Sequence, residues 1–131
     1  MDLANVSIFR EQTDALKALL MQATPDDKQR EDIDFLLLLG ELFTLVAYGQ
    51  LIIESARLLK VDHDALDRIF DVLIRDFSRY ALALYSKPSA TSPQMEHCLK
   101  MIRKPLADAA RFERVWTQHI APLQDAYEMN P

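Results

Sequence analysis

The stretch that decides the fold is residues 35–53, FLLLLGELFTLVAYGQLII. It contains no proline and is apolar almost all round a helical wheel, so it predicts the core of one long helix over residues 25–60. A helix that is apolar on every side lies either at the centre of a protein or in a membrane. We expect a buried central helix, because Glu41, Thr44 and Tyr48 interrupt the apolar run and no other segment of the chain resembles a second membrane span.

Composition and length support an all-α fold. The chain has 131 residues, of which 50% are hydrophobic and 27% are charged, and this predicts a single globular domain over residues 1–131. Its only two glycines, Gly40 and Gly49, both fall inside the apolar run. A β-rich fold needs glycines at its turns, and none are available there. The sequence therefore predicts a helical bundle of four to five helices around the long apolar helix.

The other helices are predicted from apolar positions three or four residues apart and from proline or capping residues at their ends. The first covers residues 5–22, and the next covers residues 62–85 with Asp62 as its cap. A short helix begins at Thr91 or Ser92 and is interrupted by Pro105. The last covers residues 106–120, and its inward residues are Ala109, Phe112, Val115 and Trp116. Residues 62–85 form the clearest amphipathic helix. Their polar face pairs Asp64 with Arg68 and Asp71 with Arg75, each four residues apart.

Charge and cysteine content exclude several classes of function. The net charge is −5, and the 15 basic residues are interleaved with acids, so a nucleic-acid partner is not expected. The single cysteine, Cys98, cannot form an internal disulfide, which is typical of a reducing compartment. The N-terminus, MDLANVSIFREQ, lacks the basic start and apolar core of a signal peptide. We expect a cytoplasmic protein.

No motif for catalysis, metal binding or cofactor binding is present. The chain has no CxxC, HxxxH or ExxH spacing, no glycine-rich phosphate loop and no GxSxG context. Glu41 is the most informative acid, because its neighbours are apolar and a buried carboxylate can act as a general acid or base. Glu41, Thr44 and Tyr48 share one helical face, however, so a buried hydrogen-bonded network is the simpler prediction. We assign no catalytic, cofactor-binding or metal-binding residue to this chain.

The long helix also predicts self-association. A helix that is apolar on every side needs cover on every side, and four shorter helices cannot supply it in so small a chain. Exposed apolar patches usually mark contact surfaces, so we expect a homodimer. Its contacts should involve the long helix or the amphipathic helix, and the candidate interface residues are Leu37, Phe43, Ile52, Ile53, Phe70 and Phe77.

Three segments of the chain resemble a known protein family. They are LLLLGELFTLVAYGQLIIE at residues 36–54, DRIFDVLIRDFS at residues 67–78 and YEMNP at residues 127–131. Together they resemble the C-terminal helical region of bacterial acyl-CoA dehydrogenases that carry an extension beyond the flavin-binding core. The likeness extends over residues 30–131. It rests on the overall pattern of residue types and not on a diagnostic motif.

The resemblance implies a non-catalytic helical domain that packs on the dehydrogenase or stabilises its oligomer. The family's β-barrel domain, its glycine-rich flavin-contacting segment and its catalytic glutamate have no counterpart here, so FAD is expected in the full-length relative and not in this chain. The partner would then be the rest of such a dehydrogenase chain, or a second copy. The alternative is an independent helical module that binds a partner protein, a membrane surface or a small apolar ligand in a pocket beside Glu41.

Overall fold

The computed structural model describes residues 3–123, and within them every regular element is helical. In chain order the elements are α1 (Ala4–Gln22), α2 (Asp27–Glu31), α3 (Ile33–Leu59), α4 (His63–Tyr85), α5 (Ser92–Met101), α6 (Ala109–Val115), a π-helical turn (Trp116–Ile120) and a 3-10 turn (Ala121–Leu123). The predicted all-α bundle with one long apolar helix is confirmed. Residues 127–131, which carry part of the family resemblance, lie outside the described residues.

Every α-helix of the described residues except α1 begins at a side chain that caps its first free N–H groups. Asp62 caps α4 by accepting a hydrogen bond from the Ala65 backbone N–H at 3.2 Å, as the sequence predicts. Thr91 caps α5 in a reciprocal arrangement with Gln94. Thr24, a residue type that often caps helices, does not cap α2: its hydroxyl donates back to the Leu20 carbonyl, and the cap is Asp26.

The predicted helix over residues 25–60 is divided in two at Asp32. This residue is extended, with φ −82° and ψ 107°, and it ends α2 and caps α3. Its carboxylate accepts a hydrogen bond from the Phe35 N–H at 3.3 Å and pairs with Lys87 at 3.0 Å. An aspartate that bonds the backbone ahead of it favours a helix start over a helix interior, and this explains the break.

The central helix is α4, and not the apolar helix that the sequence places there. The buried face of α4 packs against α1, α3, α5 and α6. Phe9 of α1 contacts Phe70 and Phe77 of α4 edge to face, with ring centroids 5.1 Å and 5.8 Å apart. The long helix α3 covers one side of α4 and has no helix on its own far side within the described residues. The amphipathic pattern of α4 therefore organises the core.

The segment after Pro105 differs from the predicted helix over residues 106–120. It begins at Ala109, capped by Asp108, and changes to a π-helical turn at Trp116. Val115 is buried as predicted, but Phe112 and Trp116 are half-exposed and stack on each other, with centroids 6.4 Å apart. Phe112 and Trp116 are exposed because the side of α6 that packs on α4 carries Arg111, which is 5% exposed.

Candidate docking face

The inner side of α3 contributes a narrow stripe to the core. Its buried residues follow the three- and four-residue spacing of a helix: Phe35, Leu39, Leu42, Gly49, Ile53 and Ala56. Gly49 lies directly against Phe9 of α1, since a Cβ atom built at position 49 would lie 2.5 Å from the Phe9 ring. A glycine at this position is what allows the Phe9 ring to lie against the backbone of α3.

The outer side of α3 is exposed and rich in large apolar side chains. Eight large side chains there are between 44% and 83% exposed, with the small, exposed Gly40, Thr44 and Ala47 among them. We call this surface the outer face, and its large members are Ile33, Leu36, Leu37, Phe43, Tyr48, Leu51, Leu58 and Leu59. No described atom lies within 4 Å of a Cβ atom built at Gly40. A surface of α3 with so many exposed apolar side chains usually marks a contact with another molecule.

An apolar groove borders the outer face where α3 meets α4. Its volume is about 330 Å³, and its lining residues are Tyr48, Leu51, Ile52, Ser55, Ala56, Val61, Leu66 and Ile69. Tyr48 and Ser55 are the two hydroxyl-bearing residues of this lining. The sequence places a small-ligand pocket beside Glu41, whereas this groove lies toward the C-terminal end of α3.

The predicted buried network of Glu41, Thr44 and Tyr48 is wrong. All three residues are exposed, because the helical face that they share is the outer face. The Thr44 hydroxyl donates to the Gly40 carbonyl of its own helix at 2.8 Å. Glu41 is therefore a solvated carboxylate and not a buried acid. Uniform apolar neighbours in the sequence gave no information on which side of α3 faces the core.

The six candidate interface residues fall into two groups. Leu37 and Phe43 lie on the outer face, at 61% and 49% exposure, and Ile52 is half-buried in the groove wall. Ile53, Phe70 and Phe77 are core residues, at 4%, 0% and 0% exposure, so their assignment to an interface is wrong. Phe70 and Phe77 belong to the regular apolar stripe of α4, which the bundle itself covers.

A buried ionic cluster was not predicted from the sequence. Arg111 of α6 pairs with both Asp67 and Asp71 of α4, and its distance to Asp71 is 3.4 Å. The Asn5 backbone N–H donates to Asp67 at 3.0 Å, and the Asn5 side-chain oxygen accepts from the Leu106 N–H at 2.9 Å. These bonds hold the segment after α5 against α1 and α4.

The ionic cluster has a structural role, because it connects α6 to α4. Asp71 also pairs with Arg75 at 2.8 Å and with Arg68 at 2.9 Å, so the predicted pair with Arg75 is present. Asp64 pairs with Arg114 in place of the predicted Arg68. Each carboxylate of the cluster is paired with at least one guanidinium group. The only sequence signal for it is Asp67 and Asp71 beside the α4 stripe, and their partner lies 40 or more residues away.

The remaining reactive side chains are not arranged for chemistry. Burial raises the pKa of the Cys98 thiol to about 11, so little thiolate forms at neutral pH. Over residues 3–123, no three His, Cys, Asp or Glu side chains come together as a metal-binding group. Neither feature provides a nucleophile or a metal centre in the described part of the chain.

Within residues 3–123, α3 is also the one helix that is long and apolar enough to cross a membrane, and 22% of its most apolar 18-residue window is buried. The same helix packs its inner stripe on α1 and α4, and a membrane-spanning orientation would pull that stripe out of the core. Glu41 and Glu54 are exposed on the same helix, and the chain carries a net charge of −5. Anionic membrane surfaces attract basic segments, so these acids disfavour such a surface.

The fold and the face define a small helical module with one large apolar surface that no described residue covers. Comparisons with known proteins add no relative: no family model, no curated protein and no solved structure matches this chain.

Proposed function

We propose that this chain is a non-catalytic packing module, which docks the outer face of α3 onto another protein surface. The observation that carries the proposal is the exposure of eight large apolar side chains along one side of a single helix. Such a surface is unfavourable in water and is stabilised when a partner covers it. A packing role also needs no catalytic group.

The size of the outer face fits a protein partner. A large side chain exposes on the order of 200 Å² when fully free, so these exposures correspond to on the order of 1,000 Å² of apolar surface. A stable protein interface buries about 800 Å² on each partner. The outer face is thus large enough to form the centre of such an interface, with the groove beside it as a socket for one protruding side chain.

We further propose that the assembly is an acyl-CoA dehydrogenase. The support is the resemblance of residues 36–54 and 67–78 to the helical C-terminal region of that family, and residues 36–54 include most of the outer face. In this proposal the dehydrogenase core supplies FAD and every catalytic group. The present chain supplies a surface that holds the enzyme or its oligomer together.

A second candidate function is the binding of a small apolar ligand in the groove. Its volume of about 330 Å³ lies at the lower end of the range for small-molecule sites, and its lining is apolar apart from the hydroxyls of Tyr48 and Ser55. A ligand of this kind would compete with a docked side chain. Isothermal titration with a medium-chain fatty acid tests this candidate, and no heat of binding at millimolar ligand would contradict it.

The packing proposal is tested by affinity capture from the native source with two matched variants. Leu51→Glu places a charge in the middle of the outer face, and Leu99→Glu places the same charge on α5 at similar exposure, 56% against 61%. The wild-type chain and Leu99→Glu should retain a flavoprotein with acyl-CoA dehydrogenase activity, and Leu51→Glu should lose it.

The mass of the native polypeptide is the companion measurement. A polypeptide much heavier than 15.1 kDa, with flavin absorbance at about 450 nm, is expected if this sequence is part of the dehydrogenase itself. A native polypeptide of 15.1 kDa that retains no dehydrogenase would contradict the acyl-CoA dehydrogenase assignment. Equal capture of every partner by Leu51→Glu and the wild type would contradict the docking role of the outer face.

A further inference from the structure

We propose that residues 108–123 form a strap that is latched to α4 by charged side chains and opens as a unit while α1 to α5 remain folded. The C-terminal strap, as we call these residues, consists of α6 with its cap Asp108, the π-helical turn and the 3-10 turn. Its helix α6 packs on α4. The inference goes beyond the proposed function, because it concerns a different helix and a change of conformation.

The hydrophobic core of the bundle is complete without the C-terminal strap. The core side chains come from α1, α3, α4 and α5, and none comes from the described residues 108–123. Val115 is the one buried apolar side chain among these residues, at 7% exposure. Since the burial of apolar surface is the main favourable term in folding, the core should stay packed when the strap opens. The large apolar side chains of the strap that remain 42–48% exposed are Phe112, Trp116, Ile120 and Leu123.

Two exposed polar contacts hold one end of the strap at the start of α4. Arg114 donates two hydrogen bonds to the Asp64 carboxylate, at 2.7 Å and 2.9 Å. The Nε2 atom of His119 lies 3.3 Å from the carboxylate of Asp62. Arg114 and Asp64 are 46% and 29% exposed, so mobile ions can approach them. Added salt therefore weakens this pair.

The other end of the strap is fastened by a buried arginine. Arg111 pairs with both Asp67 and Asp71 of α4. Along α4 the acids that bond the strap occur in the order 62, 64, 67 and 71, and their partners occur in the reverse order, 119, 114 and 111. The strap therefore runs antiparallel along α4 and is held at three points. Because its helical residues are continuous from Ala109 to Leu123, we expect these points to release together.

The acids of α4 keep other partners when the strap opens. Asp71 also pairs with Arg75 at 2.8 Å and with Arg68 at 2.9 Å, both in its own helix. Asp67 still accepts a hydrogen bond from the Asn5 backbone N–H at 3.0 Å. Opening also returns the buried guanidinium of the strap to water, which recovers the desolvation cost of burying a charge. The open state is thus accessible without unfolding of α4.

The hinge of the strap lies directly after Leu106. The Leu106 N–H donates to the side-chain oxygen of Asn5 at 2.9 Å, so the chain is fixed on α1 at this point. Residues 102–108 have no regular secondary structure, and a rotation there moves the strap without bending a helix. Opening then uncovers the acidic side of α4 that the strap covers when it is closed.

Hydrogen exchange of the whole chain, followed by mass spectrometry, tests whether the strap opens separately. Amides of residues 112–120 should exchange with one common opening constant, and roughly 100-fold faster than amides of residues 12–19 in α1, after correction for intrinsic rates. Raising NaCl from about 0.05 M to about 1 M should speed exchange in the strap by roughly 3-fold and leave α1 unchanged, because salt screens the exposed pair.

A matched pair of variants tests the latch itself. Arg114→Gln removes the exposed pair, so it should speed exchange of the strap by roughly 3-fold at low salt and remove most of the response to salt. Arg79→Gln is the control, because Arg79 is also exposed and pairs at 3.0 Å with Asp76 of its own helix. This variant should exchange like the wild type in the strap. Unchanged exchange of residues 12–19 in both variants shows that the bundle is still folded.

Two results would overturn the inference. Equal protection of residues 112–120 and residues 12–19 would mean that the strap opens only when the whole bundle unfolds. Faster exchange of the strap that responds to salt equally in the wild type and Arg114→Gln would mean that the charged pair does not hold it.

Discussion

The two glycines of α3 form a matched pair, and replacing each by alanine tests which side of this helix faces the core. Gly40 lies on the outer face, where an added Cβ would have no described atom within 4 Å, whereas a Cβ added at Gly49 would lie 2.5 Å from the Phe9 ring. Phe9 is 3% exposed and contacts both Phe70 and Phe77 edge to face, so a shift of its ring would disturb these two contacts.

The two substitutions should therefore change stability in opposite directions. Alanine is favoured over glycine in a helix interior by about 1 kcal/mol, and Gly40→Ala should gain this amount. Gly49→Ala has the same gain, but overpacking a core costs about 1–3 kcal/mol, so a net loss of about 1 kcal/mol is expected. The two variants should differ by about 2 kcal/mol.

Urea unfolding measures this difference in the free energy of unfolding directly. Both glycine variants should also carry Leu51→Glu, so that self-association does not contribute to the measured stability. The slope of free energy against urea should be unchanged, and only the midpoint should move. Equal stabilisation by Gly40→Ala and Gly49→Ala would refute the packing of α3 on Phe9. A reversed order would mean that the other side of α3 faces the core.

Three further predictions concern the ionic contacts and the thiol. Arg111→Met should destabilise the fold by about 3 kcal/mol, because it leaves buried Asp67 without its cation, and adding Asp67→Asn should restore part of the loss in urea unfolding. The hydrogen bond from Lys87 holds the pKa of Asp32 below its usual range, so this pair stabilises the fold above about pH 4 and stops doing so as the pH falls through the lowered pKa. The melting temperatures of the wild type and Lys87→Met should thus differ at pH 7 and converge in acid, and a constant difference would contradict the pairing. Cys98 should react with a thiol reagent at about pH 7.5 only after unfolding, and rapid labelling of the native chain would show that the thiol is accessible.

The sequence contains enough information for the helices but not for the orientation of the longest one. Leu66, Phe70, Leu73 and Phe77 recur at helical spacing with charges opposite them, so the buried side of α4 can be read from the pattern. The apolar residues of α3 surround the helix, and only tertiary contacts such as Gly49 against Phe9 decide which side is buried.

Two other features depend on contacts that are distant in the sequence. The break at Asp32 is stabilised by Lys87, which lies far along the chain beyond α4, and composition alone predicts a continuous helix there. Arg111 takes the inward position that periodicity assigns to Phe112, because Asp67 and Asp71 neutralise it. An arginine in a sequence is expected at the surface, so its burial cannot be predicted without its partners.

Protection of the outer face in the native assembly is the most direct test of its role as a docking surface. Hydroxyl-radical footprinting can compare oxidation of Leu37, Leu51 and Leu58 in the assembly and in monomeric chain, with Met21 and Leu99 as exposed references on other helices. We predict that oxidation of the three outer-face leucines falls several-fold in the assembly, while the references do not change. Equal oxidation of all five residues in both samples would contradict the account, because the outer face would then remain in water.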